Sequence, residues 1–304
     1  MKTVKLVCVA VLAAAVAFAG CETVRETKPL RVLMIGNSFS ISCMRHMPAV
    51  AKSLGLKLDI TSMYIGGCSL QRHANNIVTN SVDFRPYRID RNWCGRDYFR
   101  ECIANTGKSQ YGSGFEDLTR NNIPQMLKSC DWDVVTIQQA SGDSWQGGSY
   151  RPCGDLVVKT IRELAPGAEI VVQKTWSYAV GEKRLEKWGI DQNEMFARLD
   201  RAYADFAAAY GFRMIPMGDA VQEWRKRLPV KGAQGDVVGG RDLYHLSPAG
   251  EYFQALLWTA FLFDTDVTPC AYRPETVTAE EAVLMKQIVK DLVKPGRKAA
   301  GARR

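Results

Sequence analysis

Five short runs rich in apolar and β-branched residues recur along the chain: Arg31–Ile35, Lys57–Tyr64, Asp133–Ile137, Glu169–Gln173 and Phe212–Ile215. Nothing else in the sequence narrows the fold as sharply. Brief apolar runs bounded by Gly or polar turns read as strands covered on both faces, the habit of parallel sheets. Parallel neighbours need a crossover, and helical patterns supply it at Pro48–Leu54, Glu116–Lys128, Leu156–Leu164 and Gln192–Tyr210. Further helices are expected over Val221–Arg227, Ala249–Phe263 and Ala279–Leu292. The expected class is therefore α/β, one parallel sheet with helices on both faces. With no internal repeat and no composition break, residues 31–292 read as one domain, and 304 residues are enough for one large core.

The first 20 residues read as an export signal. Lys2 and Lys5 precede an uncharged run from Leu6 to Gly20, whose fifteen residues would span roughly 22 Å as a helix. That falls short of the roughly 30 Å hydrocarbon core, so a signal segment is expected rather than a spanning helix. Ala19-Gly20-Cys21 resembles the lipoprotein box of bacteria, which implies a lipid on Cys21 and an exported protein held to a membrane. Residues 21–30 then serve as a polar tether.

The net charge is +8, which would suggest an anionic partner. Its placement argues otherwise. Lys2 and Lys5 lie in the signal, and Lys294, Arg297, Lys298, Arg303 and Arg304 lie in the tail of residues 293–304, which leaves +1 for residues 21–293. A body so nearly neutral lacks the basic excess that binds a phosphate backbone, so nucleic acid is excluded as the expected partner. Of nine cysteines, seven remain outside the signal and Cys21. An odd number leaves at least one thiol unpaired, Cys94 and Cys102 are the first pair to suspect, and no CxxC points to zinc. Two stretches without periodicity, Asn80–Gly114 and Val230–Asp242, are long enough to be functional loops. The first carries Phe84, Tyr87, Trp93, Tyr98, Phe99 and Tyr111.

Chemistry gathers around the ends of these strands. No GxSxG occurs. Instead Gly36-Asn37-Ser38-Phe39-Ser40 follows the first run, at the strand end where open parallel sheets place their ligands. Downstream, Asp242-Leu243-Tyr244-His245 sets a carboxylate three residues ahead of an imidazole. Such a pair can orient the ring with one nitrogen and offer the other to a serine hydroxyl. Ser38 also fits a simple helix cap. Of the other histidines, His46 reads as core or surface, and His73, close after Gly67, as a candidate cleft residue. Trp176, just past the fourth run, is a candidate platform for a sugar ring, with loop packing as the alternative.

This set resembles the SGNH (GDSL-type) hydrolases. Gly36-Asn37-Ser38-Phe39-Ser40 matches the first block of that family, and Asp242 with His245 matches its closing Asp-x-x-His. Gly67, in Gly66-Gly67-Cys68-Ser69-Leu70 after the second run, matches the glycine of the second block. The resemblance implies a three-layer α/β/α sandwich of flavodoxin-like type, with Ser38 as nucleophile, His245 as base and Asp242 as orienting carboxylate. It also implies an oxyanion hole using the amides of Ser38 and Gly67, and neither metal nor organic cofactor. The third block departs: Gln138-Gln139-Ala140-Ser141 stands where the family has an asparagine donor. A Gln-led version occurs in carbohydrate-acting branches, so Gln139 is the expected third donor, with Gln138 and Ser141 as rivals. The function implied is a lipid-anchored serine esterase removing acyl groups, acetyl first, from carbohydrate. The alternatives are a non-catalytic glycan-binding lipoprotein on the same scaffold, or a lipid esterase or thioesterase.

Overall fold

The computed structural model describes residues 28–82, 85–89 (as backbone), 122–228, 234–239 and 242–294. The signal, Cys21, Cys94, Cys102, most of the aromatic stretch Asn80–Gly114 and the tail from Pro295 lie outside the described residues. In chain order the strands are β1 (Leu30–Gly36), β2 (Leu58–Tyr64), β3 (Arg85–Ile89), β4 (Val134–Ile137), β5 (Glu169–Gln173) and β6 (Arg213–Ile215). They form one sheet in the order β3-β2-β1-β4-β5-β6. Five strands run parallel and β3 alone runs antiparallel, paired with β2 through Met63↔Pro86 and its neighbours. Strand order reverses direction at β1, which opens a crevice at the carboxyl end of that strand.

The helices are α1 (Ser38–Ile41), α2 (Met47–Ser53), α3 (Leu70–Val78), α4 (Ile123–Lys128), α5 (Cys153–Leu164), α6 (Lys183–Trp188), α7 (Gln192–Ala208), α8 (Met217–Arg227), α9 (Pro248–Phe263) and α10 (Ala279–Leu292). One group packs α3 and α4 on α5, and the other packs α2 and α10 on α9, with α8 against α10. Together they cover both faces of the sheet, and Val32–Ile35 of β1 is accordingly buried throughout. This is the expected α/β/α sandwich.

Local chemistry sets where helices begin. Asp191, Ser247 and Thr278 each accept a hydrogen bond from the backbone amide three residues on, starting α7, α9 and α10. Such a cap contributes about 1 kcal/mol. Helix α9 is apolar on nearly every side and is buried without a break from Tyr252 to Ala260, so it forms the centre of its layer. Its first turn approaches the Val237 carbonyl so closely that a Cβ on Gly250 would sit 2.2 Å from that oxygen. That close approach holds the segment leading to His245 against the helix.

Candidate active site

The turn that carries Ser38 begins where β1 ends. A Cβ on Gly36 would lie 2.3 Å from Ser40 Oγ, so only glycine lets the chain fold back this tightly after the strand. Asn37 then starts α1, its Oδ1 accepting from the Phe39 amide at 3.0 Å. The same oxygen accepts from Gln138 Nε2 at 2.7 Å, while Asn37 Nδ2 donates to the Cys68 carbonyl at 2.9 Å. One buried side chain thus joins the ends of β1, β2 and β4. Phe39 is fixed from the other side. Its ring stacks on Trp176 with centroids 4.1 Å apart, and its carbonyl accepts from Gln173 Nε2 at 2.9 Å and Gln254 Nε2 at 2.7 Å. Ser38, partly exposed between these anchors, has little freedom to drift.

His245 reaches Ser38 from a segment 207 residues away in the chain. Val238 and Leu246 pair in an isolated antiparallel bridge, with Gly239 N donating to the His245 carbonyl and Ser247 N to the Val237 carbonyl, both at 2.8 Å. Behind this ribbon lies a buried ion pair. Arg225 Nε donates to Asp236 Oδ2 at 2.9 Å, and Asp236 Oδ1 accepts from Val238 N at 3.0 Å. Arg225 also donates from Nη1 to Ser177 Oγ (2.9 Å) and from Nη2 to the Ser177 carbonyl (3.2 Å). The pair therefore ties the loop after β5 to the ribbon that presents the imidazole.

His245 Nε2 lies 2.8 Å from Ser38 Oγ, and His245 Nδ1 lies 2.8 Å from Asp242 Oδ2. An ionised carboxylate only accepts, so Nδ1 carries the proton and Nε2 is left to accept from the serine hydroxyl. Burial would raise the Asp242 carboxyl, but donation from the His245 amide, the His245 ring and the Tyr244 amide outweighs it and holds the group below its ordinary value. Asp242 therefore stays ionised at neutral pH. Gly67, in the turn after β2, adopts φ +62, a left-handed conformation that glycine takes without strain. Neither its amide nor that of Ser38 donates to any group among the described residues, and the Asn37–Cys68 bond holds the two turns together. Ser38, His245 and Asp242 are thus brought together as expected, with two open amides nearby.

Three expected site residues serve elsewhere. Gln139 is not an oxyanion donor: Nε2 spends its hydrogens on the Ser149 carbonyl (2.8 Å) and Ser149 Oγ (3.1 Å). Its Oε1 accepts from the amides of Leu70 (2.9 Å) and Ala140 (2.8 Å), so the side chain braces the start of α3. The two glutamines do point opposite ways, but Gln138 is the one that meets the Ser38 turn. Ser141, the other rival, pairs its Oγ with Tyr178 OH at 2.9 Å. Trp176 offers no face to a sugar. It is wholly buried, stacked on Phe39, with Nε1 donating to the Tyr244 carbonyl at 2.9 Å. His73 does not line a cleft either, since it is fully buried. His46 is core, its Nδ1 2.9 Å from Tyr272 OH. Sequence reasoning missed Asn37 as the knot between three strand ends; its place between Gly36 and Ser38 was the available signal.

Burial pushes the His73 imidazole down to about 4, against a weaker upward pull from the Gly36 backbone and a small downward one from Arg72. An unfolded histidine titrates near 6.5. Between those values the unfolded chain binds the extra proton, so stability is level above pH 6.5 and falls as the pH drops toward 4. The full loss is about 3 kcal/mol. Urea midpoints at pH 7.5 and pH 5.0 should therefore lie closer together in His73→Phe than in the parent protein. An unchanged gap would mean that other groups carry the acid sensitivity.

The geometry can be set beside known proteins. The model of a family described as "Domain of unknown function (DUF4886)" matches residues 31–97 and 112–292. A crystal structure of a DUF4886 family protein from Bacteroides uniformis is 26% identical, with a TM-score of 0.72, covering 88% of this chain and 95% of that one. A candidate SGNH hydrolase from Slackia heliotrinireducens is 22% identical (TM-score 0.45), covering 76% of this chain and 97% of that one. A family 3 carbohydrate esterase from Clostridium thermocellum is 12% identical (TM-score 0.43), covering 78% and 96%. No curated protein matches the chain.

Proposed function

The chain belongs to the DUF4886 family, and since that family's name leaves the chemistry unassigned, we propose from the site itself that it is an SGNH-type serine esterase acting on acylated carbohydrate. One observation carries the reading: a relay in which Asp242, His245 and Ser38 are linked by two contacts of 2.8 Å, beside two amides that donate to no group among the described residues. In the proposed reaction Ser38 Oγ attacks the ester carbonyl while His245 Nε2 takes its proton. The amides of Ser38 and Gly67 receive the developing oxyanion, and Asp242 stabilises the imidazolium. His245 then returns the proton to the departing sugar oxygen, leaving an acyl group on Ser38. Water, deprotonated by the same nitrogen, releases it as a carboxylic acid.

The carbohydrate part rests on the Gln-led third block, and acetyl is the first acyl group to test. A fluorophosphonate, which captures only an activated serine, should add one adduct to the protein on Ser38 and none to Ser38→Ala. Labelling elsewhere, or none, would sink the reading. The anchor is likewise a proposal, supported by the short Leu6–Gly20 run abutting Cys21. Cys21→Ser should move the protein from the detergent phase to the aqueous phase; retention in detergent would point to an uncleaved helix instead.

A further inference from the structure

Beside the triad stands a cation that the reaction above does not use. The guanidinium carbon of Arg184, on α6, lies 3.8 Å from the centre of the Tyr244 ring and 4.4 Å from that of Tyr178. The Tyr244 ring lies 4.3 Å from the His245 ring, so a single ring separates Arg184 from the base. Glu182 Oε1 accepts from Arg184 Nε at 2.8 Å, which sets the plane of the guanidinium and occupies its inner edge. The outer fork is open: Nη1 and Nη2 donate to nothing among the described residues, and the side chain is 35% exposed. A guanidinium clamped by two rings and one carboxylate, with a free fork, is already arranged for a planar anion that accepts two parallel hydrogen bonds.

The aromatic surface continues away from the triad. Tyr178, tied by its hydroxyl to Ser141 in the turn after β4, has Trp188 at 5.7 Å, and Trp188 has Trp145 at 5.4 Å. Tyr244, Trp188 and Trp145 are each partly exposed and border solvent, while Tyr178 is fully buried and links Tyr244 to Trp188 within the core. Half-buried aromatic faces suit the C–H faces of successive sugar rings. We infer that Arg184 and the exposed edges of Tyr244, Trp188 and Trp145, held together by buried Tyr178, form a substrate subsite for an acidic glycan. The ring bearing the ester, or its neighbour, carries a carboxylate that takes both Nη donors, as in a uronic acid, and the chain runs on over the tryptophans. This rests on the esterase reading and narrows its substrate to carboxylated sugars.

A matched pair of esters tests it: O-acetylated methyl galacturonoside and O-acetylated methyl galactoside, which differ only in carboxylate against hydroxymethyl. The full protein should favour the acidic ester, and Arg184→Gln should lower the acidic-to-neutral ratio of kcat/KM by about tenfold, mostly through KM. Arg184→Lys keeps the charge but not the fork and should fall between. An unchanged melting temperature in both variants separates recognition from folding. A ratio that neither substitution moves would overturn the subsite. If no ester, p-nitrophenyl acetate included, is turned over, the esterase reading fails by itself. The subsite is then read by calorimetric titration with trigalacturonate, where weaker binding by Arg184→Gln supports it and no binding to the parent protein overturns it.

Discussion

Ser38→Ala is expected to lower kcat on p-nitrophenyl acetate by about 10⁶-fold, and His245→Ala by a similar factor, because each removes a member of a unit that works only whole. The double variant should be scarcely worse than either alone. The reason is geometric: the serine hydroxyl is a poor nucleophile until Nε2, 2.8 Å away, receives its proton. Asp242→Asn should cost about 10⁴-fold, less than loss of the base. Its amide has hydrogens where the carboxylate has lone pairs, so it can select the wrong imidazole tautomer. Steady-state kinetics on the three single variants and the double would decide. Modest, equal and additive losses would mean that these residues only line the site.

The second large effect lies behind the triad. Asp236→Ala should destabilise the protein by about 3–5 kcal/mol, the scale for stranding one member of a buried ion pair. Arg225 and Asp236 have side-chain exposures of 7% and 0%, so little water reaches the abandoned guanidinium. Burial already pulls Arg225 below its ordinary value, with Asp236 supporting the charged form against it. Calorimetry should show a melting temperature lower by about 10 °C. The double variant Arg225→Met/Asp236→Leu should recover much of the stability, since matched apolar side chains replace such pairs at little cost. Activity should not recover with it, because Val238 N still lacks its Asp236 acceptor beside the ribbon holding His245. A loss under 1 kcal/mol in Asp236→Ala would show that the pair is not carrying this segment.

Much of this architecture was legible because parallel strands announce themselves. The centres of β1, β4 and β5 (Val32–Ile35, Val134–Ile137 and Ile170–Val172) are apolar or β-branched, and these strands match the expected ones within a residue or two. Where burial does not write a pattern, the reading failed. Helix α3 (LQRHANNIV) buries His73 and Asn76 as well as Leu70 and Ala74, so its inward face does not look apolar. Helix α6 (KRLEKW) buries Leu185 alone and is otherwise charged. Strand β3 falls in the aperiodic stretch and contains Pro86, which an edge position tolerates. The site divides the same way. Asp242 and His245 were legible from their three-residue spacing, and Ser38 from its place after the first strand and the resemblance of its block to the SGNH hydrolases. Direction was harder: Trp176 lies at the correct sheet edge but turns inward beneath Phe39, and alternation along β4 could not say which of Gln138 and Gln139 faced Ser38.

The distance in sequence between Ser38 and His245 has a consequence for how the protein comes into being. During synthesis the nucleophile emerges early, and its base is made only after five more strands and most of the helices. The ribbon presenting His245 also leans on α9, which follows it. No nascent chain that stops short of His245, and no fragment cut between β2 and α8, holds all three groups. The hydroxyl of Ser38 stays an ordinary alcohol until nearly the whole domain has left the ribosome and closed, so a partly made copy has no means of stripping acyl groups from whatever surrounds it.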